Sequence, residues 1–569
     1  MRLALLSLVL ASPSVFAQQP VTTVAARGFH GAQANSYLCC GSISPDGRWI
    51  VFSTPADNLV RGDHNNADDV FLIDRWAGTT ERISVSSAGA EVQGSCNPGP
   101  ITADGRWVLF SCDADNLAPG GSPGMYDCFL RDRLLGTTVT IPPSANGLPL
   151  DGETAAMGMT PDGRWIVFSS TASNILPGPA PAHPQIHVLD RQSGLIQRVS
   201  VSDTGVPNQG MLGRAAITPD GRYVAFETED NLIQPADTND GSDVYLRDLV
   251  LGTTVLVSQD ALGLAFGASG PSITADGRWV GFTAAFDVLV PDDSNNSNDV
   301  YMRDMTTGTL QLVSRRWDGG LPAFGASGSI SADGRYAVFT SESNDIVPGD
   351  AGYYDVFRRD IQTGVVELVS QSNTGAQGIG INELSSMNAA GTLVMFRSNA
   401  TNLVVPDLSG PNNELFLRDW TGTQPTIGSY CIAGANSAGC SGLLEGFGIP
   451  DANAGSGFSL VASGVQGKSV AIVHYGVSGP MVAPFGSSDS VRCVRPPLQR
   501  TRVLPTGGTA GLCNGKVTLD WNEFIATNPQ SLGAPFLGGE GVWAQVWVRD
   551  PGSMIGGVFT NAVWFTVAP

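Results

Sequence analysis

The chain has 569 residues, of which 70 are glycine and 36 proline, and only 15% are charged. That composition suits short strands joined by tight turns, argues against long helices, and makes the chain too long for one domain unless repeats extend it. The formal charge is −21, and residues 425–569 balance seven acids with seven bases, so the excess lies in 1–424, with 45 acids against 24 arginines and no lysine. A surface of that sign repels phosphate backbones and argues against nucleic acid as a partner.

The first residues follow the pattern of a secretory signal peptide over 1–17: Arg2, an apolar stretch from Leu3 to Leu10, then Val15-Phe16-Ala17 before Gln18. No cysteine follows that cleavage site to take a lipid anchor. No other run approaches the roughly 18 apolar residues of a spanning helix. The mature chain is expected to be exported, extracellular or periplasmic, without a transmembrane segment.

A repeat begins at Gly41-Ser42-Ile43-Ser44-Pro45-Asp46-Gly47-Arg48 and returns around Asp104, Asp162, Asp220, Asp276 and Asp333. A worn copy has Ala390-Gly391-Thr392 in that place, and the intervals are 58, 58, 58, 56, 57 and 57 residues. So regular a period marks supersecondary units stacked on their neighbours. In the copy at Asp220, Ala215–Thr218 predicts a strand and Pro219-Asp220-Gly221 a tight turn. Arg222–Thr228 is a second strand, Asp230–Ser242 a polar loop, Asp243–Asp248 a third strand and Thr253–Ser258 a fourth. Four antiparallel strands per unit predict the blade of a β-propeller, and seven units predict seven blades. The seventh copy lacks a clean fourth strand because Pro425 interrupts it, whereas Val21-Thr22-Thr23-Val24 reads as a fourth strand without its first three. That N-terminal segment is expected to complete the last blade and close the ring.

The Ser-Pro-Asp-Gly-Arg and Asp-Val-Phe/Tyr-x-Arg-Asp phrases resemble the bacterial WD40-like repeats of the TolB propeller family, over roughly residues 21–424. The resemblance implies the fold, for a domain spanning 18–425. It implies no single function, since such propellers serve as binding scaffolds, peptidase companions and enzyme domains.

Asp46, Asp104, Asp162, Asp220, Asp276 and Asp333 each precede a turn glycine, and their carboxylates are expected to bond their own backbone two residues on. The pairs Arg131-Asp132, Arg247-Asp248, Arg303-Asp304, Arg359-Asp360 and Arg418-Asp419 recur at one place, which points to blade-to-blade ties instead of active sites. Three loops between second and third strands share an acidic spacing: Asp63, Asn65 and Asp69; Asp237, Asn239, Gly241 and Asp243; Asp293, Asn295 and Asp299. Oxygen ligands so spaced suit a structural calcium ion, and they equally suit Asx turns that bind nothing. Gly241, able to turn a carbonyl inward, favours the Asp237–Asp243 loop. These loops share a face with the connections between units, which carry Phe266, Trp317 and Phe324. That face is the expected binding surface.

No Gly-x-Ser-x-Gly elbow occurs, and the five histidines share no carboxylate pattern. His183 and His187 stand four apart, but across a proline-rich loop and the following strand. From 426 the period stops, and Phe458–Ala462, Val470–Tyr475, Val542–Asp550 and Val563–Val567 predict a β-sandwich-like domain over 426–569. Asn-Ser-x-Gly-Cys, Pro484-Phe485-Gly486 before Arg492-Cys493-Val494, and Gln545-x-Trp547-x-Arg549-Asp550-Pro551 resemble a C-terminal domain common on secreted proteins of planctomycetes and related bacteria. Gln545 and Arg549 make a polar site or one satisfied face of a strand. The nine cysteines permit disulfides in an exported chain. Short loops favour Cys431 with Cys440 and Cys493 with Cys513, and consecutive strands favour Cys112 with Cys128. Cys96 would then meet Cys39 or Cys40.

The functional expectation is a non-catalytic scaffold whose propeller loops bind a protein or glycan of the cell envelope or exterior. The rival is a secreted hydrolase working in the propeller funnel. No cofactor is expected apart from calcium.

Overall fold

The computed structural model describes residues 20–567 except 27–33, 61, 76–78, 144–148, 178–181, 235–236, 240, 261, 285–288, 291–292, 323, 405–412, 422–426, 431–436, 449, 451–455, 479, 485–490, 537–539 and 551–556. The candidate signal peptide therefore lies outside the described residues. Among them no helix is long and apolar enough to cross a membrane.

The chain from Val21 to Asp419 forms seven four-stranded antiparallel sheets in sequence order. Blade 1 is Cys39–Ile43, Trp49–Thr54, Asp69–Asp74 and Thr79–Arg82, and blade 4 is Leu212–Ile217, Tyr223–Thr228, Asp243–Asp248 and Thr253–Leu256. The predicted strands of that copy thus hold to within three residues. Second and third strands are buried at nearly every position, as in Trp49–Thr54 and Asp69–Asp74. Burial on both faces explains why they read as runs of aromatic and β-branched residues without alternation. In each blade an aromatic ring of strand two stacks on one directly opposite in strand three, from Phe52 on Phe71 to Phe396 on Phe416.

The main hydrophobic clusters of this region lie between blades, not within them. Leu72 and Val108 share one, Leu130 and Ile166 the next, and Val188 with Val224 another. The seventh joins Ile50 and Phe52 of blade 1 to Leu393, Met395 and Leu417 of blade 7. Ala389 N donates to Pro45 O at 3.2 Å across the same boundary, and Arg75 pairs with Asp419 at 2.8 Å. The sheets therefore form a closed β-propeller, with first strands of neighbouring blades in contact around the centre.

Closure is completed by Val21–Val24, which pairs antiparallel with Glu414–Asp419 as the outer strand of blade 7. Arg418 donates to Thr22 Oγ1 at 2.8 Å, and Ala25 N to Leu415 O at 2.7 Å. The orphan fourth strand at the N-terminus finds its missing three at the other end of the ring.

Beyond 426, Ile427–Tyr430, Gly557–Thr566, Gly541–Arg549 and Val470–Gly476 form one sheet, with Gln499–Arg500 and Leu504–Pro505 on the edge of the last. Leu443–Gly448, Phe458–Val465 and Gly515–Asp520 form a second sheet. Leu460 and Leu519 of one sheet share a core with Val473, Val546 and Phe565 of the other, as in a sandwich. A short helix, Trp521–Thr527, was not expected; Asp520 caps it by accepting from Glu523 N, and Trp521 plugs the core.

The cysteine pairing corrects the expectation. Cys96 is bonded to Cys112 and Cys440 to Cys513, so neither Cys112–Cys128 nor Cys493–Cys513 nor Cys431–Cys440 forms. Cys96 and Cys112 lie directly opposite on adjacent strands of blade 2, a relation fixed by strand register that loop length does not reveal. Cys493 is also disulfide-bonded, and Cys431 lies outside the described residues. Cys39, Cys40 and Cys128 are free, which removes the expected bridge from Cys96 to blade 1.

Candidate binding face and cation loops

The tight-turn end of the propeller is occupied by its own hydrogen bonds. Each Asp-Gly turn works as its residue types dictate: Asp46 accepts from Arg48 N at 3.1 Å and from Ser44 Oγ at 2.5 Å, and Asp104, Asp162, Asp220, Asp276 and Asp333 repeat both bonds. The glycine that follows sits at positive φ, 81° at Gly47. The arginine after it reaches the aspartate ending strand three of the same blade, as in Arg106–Asp132 at 2.7 Å and Arg278–Asp304 at 2.6 Å. The expected blade-to-blade tie is therefore divided. The aspartate binds within its blade, while Arg303, Arg359 and Arg418 donate to backbone carbonyls of the preceding connection.

The opposite end carries the acidic loops. The first residue of strand three is Asp69, Asp243 or Asp299, each fully buried. Each accepts from a serine fifteen residues on, Ser84, Ser258 or Ser314. Burial pushes Asp243 up to about 7 and Asp299 up to about 6. In blade 1, Asn65 donates to Asp69 at 2.9 Å, and in blade 5 Asn295 donates to Asp299 at 2.7 Å. Oδ2 of Asp243 makes no hydrogen bond of ordinary length among the described residues, although Asn239 stands close enough to favour its charged form. The leading aspartates of blades 4 and 5 each accept from a buried tyrosine, Asp237 from Tyr245 and Asp293 from Tyr301.

Blade 1 differs in charge. Arg82 lies 3.2 Å from Asp63, 3.3 Å from Asp69 and 2.6 Å from Glu91, so a guanidinium already sits among three carboxylates. Those three acids are also the one group of three or more His, Cys, Asp or Glu with ligand atoms within 4.8 Å among the described residues. Leu256 and Leu312 take the place of Arg82 in blades 4 and 5, opposite Tyr245 and Tyr301. Backbone turning does not separate the loops as Gly241 suggested. Asn66 and Asn296 supply positive φ at 52° and 53°, one residue earlier, and Gly241 is not among the glycines at positive φ. Arg82 thus separates blade 1 from blade 4, while in blade 5 the charge of Arg315 also favours the charged form of Asp299.

The residues expected on the binding face part company. Trp317 and Phe324 are 55% and 56% exposed, whereas Phe266 is half-buried against the core between blades 4 and 5. Sequence reasoning missed Tyr37, Met211 and Ile381, all exposed just before the first strand of a blade, the position nearest the central channel. Their signal was positional: each stands immediately ahead of a repeat's first strand, as Phe324 does. The tight-turn end also exposes Leu134-Leu135 and Val250-Leu251, in the outer turns of blades 2 and 4.

Among the described residues no group of three or more His, Cys, Asp or Glu includes a histidine of blade 3. His187 is buried, stacks on Phe168 at 5.4 Å and takes the aromatic place of strand three, and burial lowers its pKa to about 4. Gln545 is buried and satisfied, accepting from Cys493 N at 3.0 Å and donating to Thr560 O at 2.8 Å, while Arg549 is exposed.

No family model matches this chain, and no curated protein does. Among solved structures it is similar to a TolB of Agrobacterium tumefaciens at 15% identity and TM-score 0.32, covering 52% of this chain and 89% of that one. It is similar to an oligogalacturonate lyase of Vibrio parahaemolyticus at 13% identity and TM-score 0.41, covering 71% and 97%. The β-propeller domain of the Trilobed protease of Pyrococcus furiosus shares 12% identity at TM-score 0.37, covering 59% and 85%.

Proposed function

We propose that the chain is an exported, non-catalytic scaffold whose long-loop face binds a protein or glycan of the cell envelope or exterior. The observation that carries this reading is the set of exposed apolar side chains at the channel mouth and its surrounding connections: Tyr37, Met211, Trp317, Phe324 and Ile381. Large rings and aliphatic chains held on short, backbone-bonded connections lose little freedom on contact, which favours them as binding anchors. The acidic surface of 1–424 suits a neutral or basic ligand. The test is binding of the full chain to immobilised panels of envelope glycans and peptides, with Trp317→Ala/Phe324→Ala beside it. At least roughly tenfold weaker binding by the variant is expected. Unchanged binding overturns the assignment of the face. Turnover of a panel member by the full chain would make the protein a funnel hydrolase instead.

The loops Asp237–Asp243 and Asp293–Asp299 are the candidate calcium sites within this reading, with a structural role. Each pairs buried carboxylates that raise one another, and Arg315 already offsets part of this at Asp299, so a divalent cation would relieve the most repulsion at Asp237–Asp243. Asp63–Asp69 is already compensated by Arg82 and should bind weakly or not at all. Millimolar calcium is expected to raise the Tm of chelator-stripped protein by about 2–5 °C, with Asp237→Asn/Asp243→Asn removing much of the gain. A flat calorimetric titration up to millimolar calcium would reduce these residues to Asx-turn formers.

A further inference from the structure

The first strand of every described blade but the sixth carries a β-bulge, where the register with strand two shifts. In a regular strand adjacent side chains point to opposite faces, so neighbouring cysteines could not meet. In blade 1 the shift falls between Cys39 and Gly41, which leaves Cys40 as the extra residue. A bulge sets two successive residues against one partner and brings their side chains toward one side. The outcome is Sγ of Cys39 only 2.8 Å from Sγ of Cys40. Cys40 is exposed and Cys39 partly so, on a strand that borders the channel. The positive charges of Arg397 in blade 7 and Arg214 in blade 4 both favour the Cys40 thiolate.

We propose that Cys39 and Cys40 form a redox-active vicinal dithiol at the channel, closed to a vicinal disulfide by exchange with an external disulfide. The sulfurs already stand 2.8 Å apart, so closure asks only a short further approach, to about 2.05 Å, within the bulge. Hydrogen bonds from the Cys40 thiol and from its backbone N–H, then Arg397, draw Cys39 down to about 6 and make it the attacking thiolate; the bond between the thiols raises Cys40. Cys39 attacks one sulfur of RSSR, breaks the S–S bond and expels RS⁻, leaving a mixed disulfide. Cys40 then gives up its proton, and its sulfur attacks that of Cys39 and expels the second RS⁻. Two protein thiols are oxidised, one external disulfide is reduced, and the two protons end on the released thiols. Cys128, the remaining free thiol among the described residues, is buried in blade 2 and takes no part.

The test uses the full chain incubated with oxidised glutathione, acid-quenched, alkylated and mapped by peptide mass spectrometry. The peptide holding Cys39 and Cys40 should be unalkylated and lighter by two hydrogens, and dithiothreitol should reverse this. Phenylarsine oxide should bind one equivalent before oxidation and none after. Cys40→Ser should stop at a glutathione adduct on Cys39, whereas Cys39→Ser should react roughly tenfold more slowly. Two independently alkylated or glutathionylated cysteines in the native sequence would overturn the proposal. A bridge from either to Cys128 or to a second copy, or equal reactivity of Cys39→Ser, would do the same.

Discussion

The aspartates of this propeller do two opposite electrostatic jobs, and position within the blade decides which. At the tight-turn end Asp190 and Asp304 are held well below the carboxylate range, first by their hydrogen bonds from Arg164 and Arg278. At the long-loop end burial raises Asp243 to about 7, and Asp299, Asp127 and Asp355 to about 6. A raised carboxylate binds its proton more tightly in the folded chain than in the unfolded one, so its effect is to lower stability as pH climbs from about 4 to the folded value. The depressed ones act the other way, and their support is lost as pH falls below about 4. Buried His187 and His474, lowered to about 4, oppose this trend over the same interval, so the test compares two chains: in chelator, Tm of the native sequence should fall further, or rise less, from pH 4.5 to pH 7.5 than that of Asp243→Asn, by roughly 2–5 °C. Identical slopes in the two chains would contradict the burial argument for Asp243. The first job was legible in the sequence, because an Asp-Gly turn is local. The second was not. Asp243 was legible as the start of a third strand and as a loop ligand, but nothing nearby in the chain announces that Asp69, Asp243 and Asp299 are fully buried or that Arg82 neutralises one of them.

Strands and hairpins were readable wherever the signal was periodic or local, and unreadable where it depended on register. Val21–Val24 was legible because it repeats the fourth-strand pattern at a place with no blade of its own. Its pairing with Glu414–Asp419 satisfies an edge that would otherwise lie open beside the blade 7 core. Deleting residues 20–26 also removes Ala26 from the cluster joining blades 7 and 1, and Thr22 from Arg418. Tm should drop by more than about 5 °C, well beyond the loss of a frayed end. Scanning calorimetry on the truncated chain decides it, and a shift within a degree would mean that the strand contributes nothing to closure. The cysteines illustrate the limit. Cys96 faces Cys112 because a bulge between Pro98 and Ile101 sets which residues stand opposite, and a bulge has no dependable sequence signature. The same kind of irregularity brings Cys39 to Cys40.

At the scale of the whole chain, the hydrophobic clusters fall into two sets that do not mix. Every cluster containing blade residues draws on positions up to Trp420, and the large sandwich core draws only on Leu444 to Val567. Repeats of this kind are stabilised mainly by contacts between neighbours, and closing the ring gives every blade two. The seven sheets should therefore melt together, while the sandwich has a separate cooperative unit of its own. Cys440–Cys513 joins two residues that both lie beyond 426 and closes a loop with a sequence separation of 73. In the chain-entropy picture such a bridge contributes about 4 kcal/mol by restricting the unfolded state. The expected result for Cys440→Ser/Cys513→Ser is two resolved calorimetric transitions, one lowered by about 10 °C and the other unmoved within a degree. Far-ultraviolet and tryptophan signals would tell which is which, because Trp521 lies in the sandwich core and Trp49 between blades 1 and 2. A single transition that moves as one in the double variant would show that the two cores unfold as a unit, and the division at residue 426 would then mark a change of architecture without a change of cooperativity.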